Sequence, residues 1–293
     1  MALDTQLLRT TDGSPANSVC HSFRMSNARG AWPPYNIGLR TIAQVTATDT
    51  VKPDEPQHLL RLKVASLPDP DGLPEMRGFE AKLLASRFWK TLMPKLEKLE
   101  VRVENIVCAA FGNVYNDSPG KEKELVERRI SQHLFACAIS NFLSEHYAST
   151  DTQPAERRSI PIVAFDPLYT LRSMHMLSHL SPSISVVSSP HHFLSITRSS
   201  LVLTIHMPAF VAFHEVIADL CYPSGPAAII NMEVLKYPWH EQGIITHLDQ
   251  WTPRVGEMLD GYDHPWIGHA VAPEEKSPGT HWMEKLHLYA RKK

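Results

Sequence analysis

The apolar run Ile106-Val107-Cys108-Ala109-Ala110-Phe111 stops at Gly112-Asn113, and beyond a polar insert lies a strongly apolar segment at 130–143, opened by Arg128-Arg129. A run that short and that continuous reads as a strand buried on both faces, and the longer segment as a helix packed on most sides. Strand, glycine turn, polar loop and helix form the opening unit of a doubly wound α/β domain. The chain beyond Leu143 is therefore read as a continuation of one sheet, and the chain before Ile106 as an appendage.

The continuation is regular. Strands are expected at 160–165, 184–187, 201–205 and 227–232, with helices at 170–180, 191–196 and 210–220 between them. Pro161 suits only the start of its strand, where no ladder donor is needed. Right-handed crossovers then give a sheet of order 3-2-1-4-5. The expected fold is a Rossmann-like, doubly wound, mainly parallel five-stranded sheet over 79–262. An irregular arm, 1–78, precedes it and a tail, 263–293, packs on it. Leu83, Leu84, Phe88, Leu92, Leu96 and Leu99 recur mostly at helical spacing before the first strand, and Pro94 is expected to kink or divide that helix. The region beyond Leu235 reads as aromatic and irregular, ending in a short amphipathic helix at 282–289.

Composition narrows the classes. A formal net charge of -2 over 293 residues gives no global basic field to draw in nucleic acid. Cys20, Cys108, Cys137 and Cys221 form no C-x-x-C pair, so buried reduced thiols are expected, with no metal site. No apolar run is long enough for a membrane span. The first ten residues lack the pattern of a signal peptide, so a cytoplasmic location is expected. Gly112-Asn113 lacks the later glycines of G-x-G-x-x-G and the lysine of a P-loop, so no nucleotide cofactor is expected.

Doubly wound sheets place chemistry at the carboxyl ends of their strands. Asp166 ends the second strand, followed by Pro167-Leu168-Tyr169; it either points into the crevice or caps the next helix. His206, in His206-Met207-Pro208, ends the fourth strand and either handles a proton or is a hydrogen-bonded strand-end histidine. Asp166, Tyr169 and His206 are the candidate catalytic residues. Gly112, Asn113, Gln132, Ser188, Ser189 and Glu233 are the candidate substrate contacts. Ser188-Ser189 sits in no G-x-S-x-G elbow, so a hydrolase triad is not expected. His214-Glu215 is no H-E-x-x-H zinc site, because position 218 is alanine. The pairs His191-His192 and His214-Glu215 read as ordinary helix residues.

The segments 106–113, Ser131-Gln132-His133-Leu134, Phe165-Asp166-Pro167-Leu168-Tyr169-Thr170 and His206-Met207-Pro208 together resemble the sensitivity-to-red-light-reduced domain, its fungal branch in particular. Thr252-Pro253-Arg254-Val255-Gly256-Glu257-Met258-Leu259 looks like the end of fungal members. The resemblance covers roughly 80–262.

It implies two activities. Plant, yeast and animal members are regulatory proteins. A fungal group that looks related comprises arginine-containing cyclodipeptide synthases, which join amino acids from two aminoacyl-tRNAs into a cyclic dipeptide. That group is associated with an acidic D-D-x-x-E motif, and this chain offers Ser188-Ser189-Pro190-His191-His192 instead. The lead expectation is a fungal specialised-metabolism enzyme performing aminoacyl transfer. A non-catalytic regulatory protein and an enzyme of different chemistry on the same scaffold are the alternatives. The partners expected are a small-molecule substrate and aminoacyl-tRNA. An arginine substrate would need a carboxylate partner, Asp166 or Glu233. The tRNA would need the basic cluster of Lys121, Lys123, Arg128 and Arg129.

Overall fold

The computed structural model describes residues 73–115, 123–150, 159–205, 207, 211–234, 251–268 and 281–293. All of these belong to one compact unit, Val45–Lys293. His206, almost all of the arm at 1–78 and the side chains of the charge run at 121–124 lie outside the described residues.

The sheet forms as its sequence pattern predicts and then extends further. Strands β1 (Asn105–Ala109), β2 (Ile162–Phe165), β3 (Ile184–Val186), β4 (Ser200–Thr204) and β5 (Ala228–Met232) are parallel neighbours in the order β3-β2-β1-β4-β5. The five-strand expectation is too small. Two antiparallel strands, β6 (Tyr262–Ile267) and β7 (Leu286–Arg291), continue the sheet beyond β5, giving seven strands ordered β3-β2-β1-β4-β5-β7-β6. Pairing with β7 covers the β5 edge, which would otherwise present unpaired backbone groups.

The tail is thus part of the sheet, and 282–289 is no helix. A 3₁₀ turn, His281–Lys285, leads directly into β7. Trp282, Met283, Leu286 and Tyr289 fit a helical period, whereas Leu286 and Leu288 fit a strand. The unpaired β5 edge decides between them. Pairing satisfies both chains' backbones, with Asn231 level with His287 and Met232 with Leu286.

Helices cover both faces. On one lie α1 (Leu73–Ala85), α2 (Arg87–Leu96), α3 (Lys123–Thr150) and α4 (Leu171–Ser178), packed with Ile106, Cys108, Ile162, Ala164, Leu201 and Leu203 in one apolar cluster. On the other lie the short α5 (His191–Leu194), α6 (Phe213–Leu220) and α7 (Pro253–Asp260), over Val107, Ala109, Val202 and Ile229. Alternate residues of each strand thus serve opposite layers. The break between α1 and α2 falls at Ser86, not at Pro94. The Ser86 hydroxyl accepts the Trp89 N–H at 3.2 Å and caps α2. Pro94 lies inside α2 and forgoes one intrahelical bond near its end, but the helix runs on to Leu96.

Helix α3 is the central support. Every residue from Ser131 to Ser140 is buried. The sheet lies on one side, and α1, α2 and the C-terminal Trp282 pack around the rest, with Phe135 edge-on to Phe88, Trp89 and, more tilted, Trp282. Its serines serve the backbone. Ser140 Oγ donates to the Ile160 carbonyl at 2.7 Å, and Ser144 Oγ accepts the Ile160 N–H at 3.0 Å, which fixes the entry to β2. Cys108, Cys137 and Cys221 are buried free thiols, and burial pushes all three up in pKa, so they stay protonated.

Candidate functional site

The chain leaves β1 through two left-handed residues, Ala110 (φ 60°) and Gly112 (φ 75°), which bend it sharply at the β1–β4 switch point. Asp166 stands at the end of β2 beside this turn. Its Oδ2 accepts the Gly112 N–H at 2.7 Å and its Oδ1 accepts the Leu168 N–H at 2.9 Å. One carboxylate therefore ties the β1 turn to the β2 turn. Asp166 does not cap the next helix: its carboxylate holds backbone N–H groups of two turns. The side chain that caps α4 is Thr170, accepting the Ser173 N–H at 3.2 Å.

Burial raises the Asp166 pKa, opposed by the two N–H bonds and by the nearby Arg129 charge. Arg129 reaches back from α3 and donates from Nη1 to the Asn113 carbonyl at 3.2 Å. Its guanidinium crosses directly over Gly112, so a Cβ there would lie 2.7 Å from Nε. Asn113 Oδ1 accepts the Tyr115 N–H at 3.1 Å and also the Ser173 hydroxyl. Arg172 lies over the Tyr115 ring at 4.1 Å. Arg129, half of the expected basic cluster's described part, is thus spent on the turn rather than on a solvated face.

Beneath the turn lies a second buried pair. His133 Nδ1 donates to the Arg129 carbonyl at 2.6 Å, which leaves Nε2 to accept the Tyr169 O–H at 2.7 Å. The direction is forced, because a carbonyl only accepts. Burial pushes the His133 pKa down to about 4 and lifts that of Tyr169 far up, so both rings stay neutral. Phe111 closes the cluster edge-on to the imidazole at 5.2 Å. The sequence pattern marks Arg129 only as part of a basic cluster for an anionic partner, and does not mark His133 as a site residue. The available signal was their position at and one turn beyond the basic helix start, on the turn facing the β1 exit.

Among the expected contacts, Gly112, Asn113, Asp166 and Tyr169 come together here. Gln132 is buried in α3, and its Nε2 has no hydrogen-bond partner. Ser188 lies buried just beyond β3, next to β2 in the sheet, with Oγ 3.3 Å from His191 Nδ1, and Ser189 beside it is exposed. Glu233 stands apart: it lies at the end of β5 and its charge acts on His264 and His287 in the antiparallel wing. Among the described residues no three His, Cys, Asp or Glu side chains are grouped to hold a metal ion. No helix among them is long and apolar enough to cross a membrane.

The Gly112 turn gives a direct prediction. Gly112→Ala places an L-residue at φ 75° and drives its Cβ into Arg129. The expected loss is about 2 kcal/mol of unfolding free energy, from the left-handed backbone and the displaced guanidinium together. Urea unfolding of the variant measures it, and a loss below about 0.5 kcal/mol, the scatter of ordinary surface changes, would mean the turn is not held as described.

Searches of curated proteins and of solved structures returned no match to the chain. The family comparison did. The SRR1 domain model matches residues 82–256, from α1 through the Asp166 turn and into α7, so the chain belongs to the SRR1 domain family.

Proposed function

We propose that the chain is an SRR1-domain enzyme that binds a small polar substrate over the carboxyl ends of β1, β2 and β4, and that its reaction is aminoacyl transfer. The observation that carries this is the buried Asp166 carboxylate at the end of β2, holding through Oδ2 the left-handed glycine turn at the β1–β4 switch point. Each Asp166 oxygen keeps a second lone pair, and burial raises its pKa above the ordinary carboxylate value, which favours a carboxyl that can hold a proton. An aminoacyl ester is already activated. Positioning and a proton shuttle are what the protein must add. The resemblance to the fungal cyclodipeptide synthases supplies the aminoacyl-tRNA as donor, with His206 as a further candidate catalytic residue.

The test is incubation of the full chain with arginyl-tRNA and a second aminoacyl-tRNA, with mass spectrometry for a cyclic dipeptide. Wild type is expected to form one and Asp166→Asn to lose it. No new product from wild type would end this reading.

One observation favours a second reading, a non-catalytic regulatory domain. Both Asp166 oxygens and the Tyr169–His133 pair are engaged in internal bonds, as in a frame built to hold a shape. A stable stoichiometric partner, bound equally by wild type and Asp166→Asn, supports it.

A further inference from the structure

At the other end of the sheet from the Asp166 turn, α2 meets the antiparallel wing. Because β7 runs against β5, Ala290 stands level with Ala228, at the amino ends of the parallel strands. Lys95, in the last turn of α2, and Lys98, just beyond it, lie at this end because the chain goes on from them into β1. Trp266 Nε1 donates to Thr91 Oγ1 at 3.2 Å, which ties β6 to α2 and fixes the spacing of the two walls. Between the walls is a cavity of about 190 Å³, lined by Lys95, Lys98, Glu100, Asp263, Ala290 and Lys292 among others. That is room for several waters, each of which takes about 30 Å³ in the liquid.

The charges of this cavity do not cancel. Three lysines face two carboxylates, and both carboxylates are engaged. Asp263 Oδ1 holds Lys292 Nζ at 3.3 Å, and Glu100 Oε2 accepts the Lys293 backbone N–H at 2.7 Å. Arg291 also borders the cavity, but its Nη1 donates to the Gly225 carbonyl, so its guanidinium is held there. Lys95 and Lys98 remain, and neither has an ion-pair partner among the described residues. The Lys98 N–H bonds the Lys95 carbonyl at 3.3 Å, so the two side chains leave one turn of the chain, where like charges repel. The carboxyl end of α2 offsets only about half a charge, too little for two ammonium groups.

We propose that this cavity is an anion site, for one small tetrahedral oxyanion: inorganic phosphate or the phosphate end of a phosphomonoester. Lys95 and Lys98 bind it from the α2 side, and Lys292, shared with Asp263, faces it from the wing. Lysines suit a tetrahedral anion because each is a point charge with three rotatable donors, whereas a planar carboxylate selects the arginine fork. Pro265 and Ala290 add a small uncharged surface against which a short organic arm can lie. Glu100 beside the lysines repels further negative charge, so a single phosphate is taken in preference to a polyphosphate. The site shares no residue with the Asp166 turn and does not depend on the aminoacyl-transfer reading.

The probes are inorganic phosphate and glycerol 3-phosphate, titrated separately into the isotope-labelled full chain with ionic strength held constant by sodium chloride. Saturable shifts are expected in the backbone amide signals of Lys98 and Ala290, while Gly112 at the other end of the sheet stays still. Lys95→Gln and Lys98→Gln are each expected to weaken binding about threefold, and the two together about tenfold, because an exposed ion pair is a modest contact. Glu100→Gln keeps an oxygen for the Lys293 N–H and removes a repelling charge, so it is expected to tighten binding about twofold. Lys90→Gln takes the same charge from an exposed position of α2 outside the cavity and is expected to leave the affinity unchanged. Phosphate bound at least as tightly as glycerol 3-phosphate identifies the free ion as the ligand, and tighter binding of the ester identifies a phosphomonoester. No saturable shift with either probe, or unchanged affinity in the double lysine variant, overturns the proposal. So does equal weakening by Lys90→Gln, since that identifies a diffuse surface field rather than a site.

Discussion

Asp166→Ala is expected to lower the unfolding free energy by about 3 kcal/mol, the largest loss from any single substitution at the β1–β2 crossover. The carboxylate accepts two backbone N–H groups, at 2.7 Å from Gly112 and 2.9 Å from Leu168. Bonds to a charged acceptor contribute about 1.5–3 kcal/mol each, and both donors would be left part-buried and unmet. The sum is discounted because burial raises the Asp166 pKa, so the charge itself is not fully compensated. That discount makes a second forecast. Asp166→Asn keeps an acceptor for one N–H, turns an amide towards the other, and removes the buried charge. Its loss is expected to be about 1 kcal/mol. Urea unfolding of both variants decides. An alanine variant as stable as the asparagine one would mean that Asp166 does not clamp the two turns. The comparison also separates stability from chemistry, because an asparagine variant that folds well and makes no product has lost a function rather than a fold.

The sheet order was legible because it rests on period and polarity alone. Each parallel strand reads as a short apolar run, and handedness leaves little choice of order. The antiparallel wing was not legible. Whether 282–289 becomes helix or strand depends on a partner, β5, more than fifty residues earlier in the chain, which no local window contains. The site divides in the same way. Gly112, Asp166 and Tyr169 are legible from their places at strand ends. What Asp166 binds is not, since a strand-end carboxylate looks the same in sequence whether it meets a ligand or the Gly112 N–H. His133 was hidden for a related reason. In an apolar helix a lone histidine passes for filler, and its meaning appears only when Tyr169, on another element, is found at its Nε2.

Acid is expected to destabilise the protein by way of His133. Its folded pKa is about 4 against an ordinary 6.5, and burial is the main cause. For a base with a depressed folded pKa, the sign is fixed. Above pH 6.5 both folded and unfolded states hold the ring neutral, and its contribution to stability is fully present. As pH falls below 6.5 the unfolded chain takes up a proton that the folded chain refuses, and stability falls by about 1.4 kcal/mol per pH unit. The loss ends near pH 4, when the folded ring protonates as well, and totals roughly 3 kcal/mol. His192, also held near 4 by burial, acts with the same sign. Asp166 acts against them at the acid end, because a raised carboxyl pKa favours the folded state as protons are taken up. The double variant His133→Leu with Tyr169→Phe isolates the effect. It removes both partners of the buried bond together, so no orphaned donor or acceptor is left between them. Unfolding free energies measured from pH 7 to 4 should then fall less steeply than in wild type, by up to about 1.4 kcal/mol per pH unit. Equal slopes in the two proteins would show that His133 takes its proton in the folded state, and that the Arg129 carbonyl and Tyr169 hydroxyl do not hold it neutral.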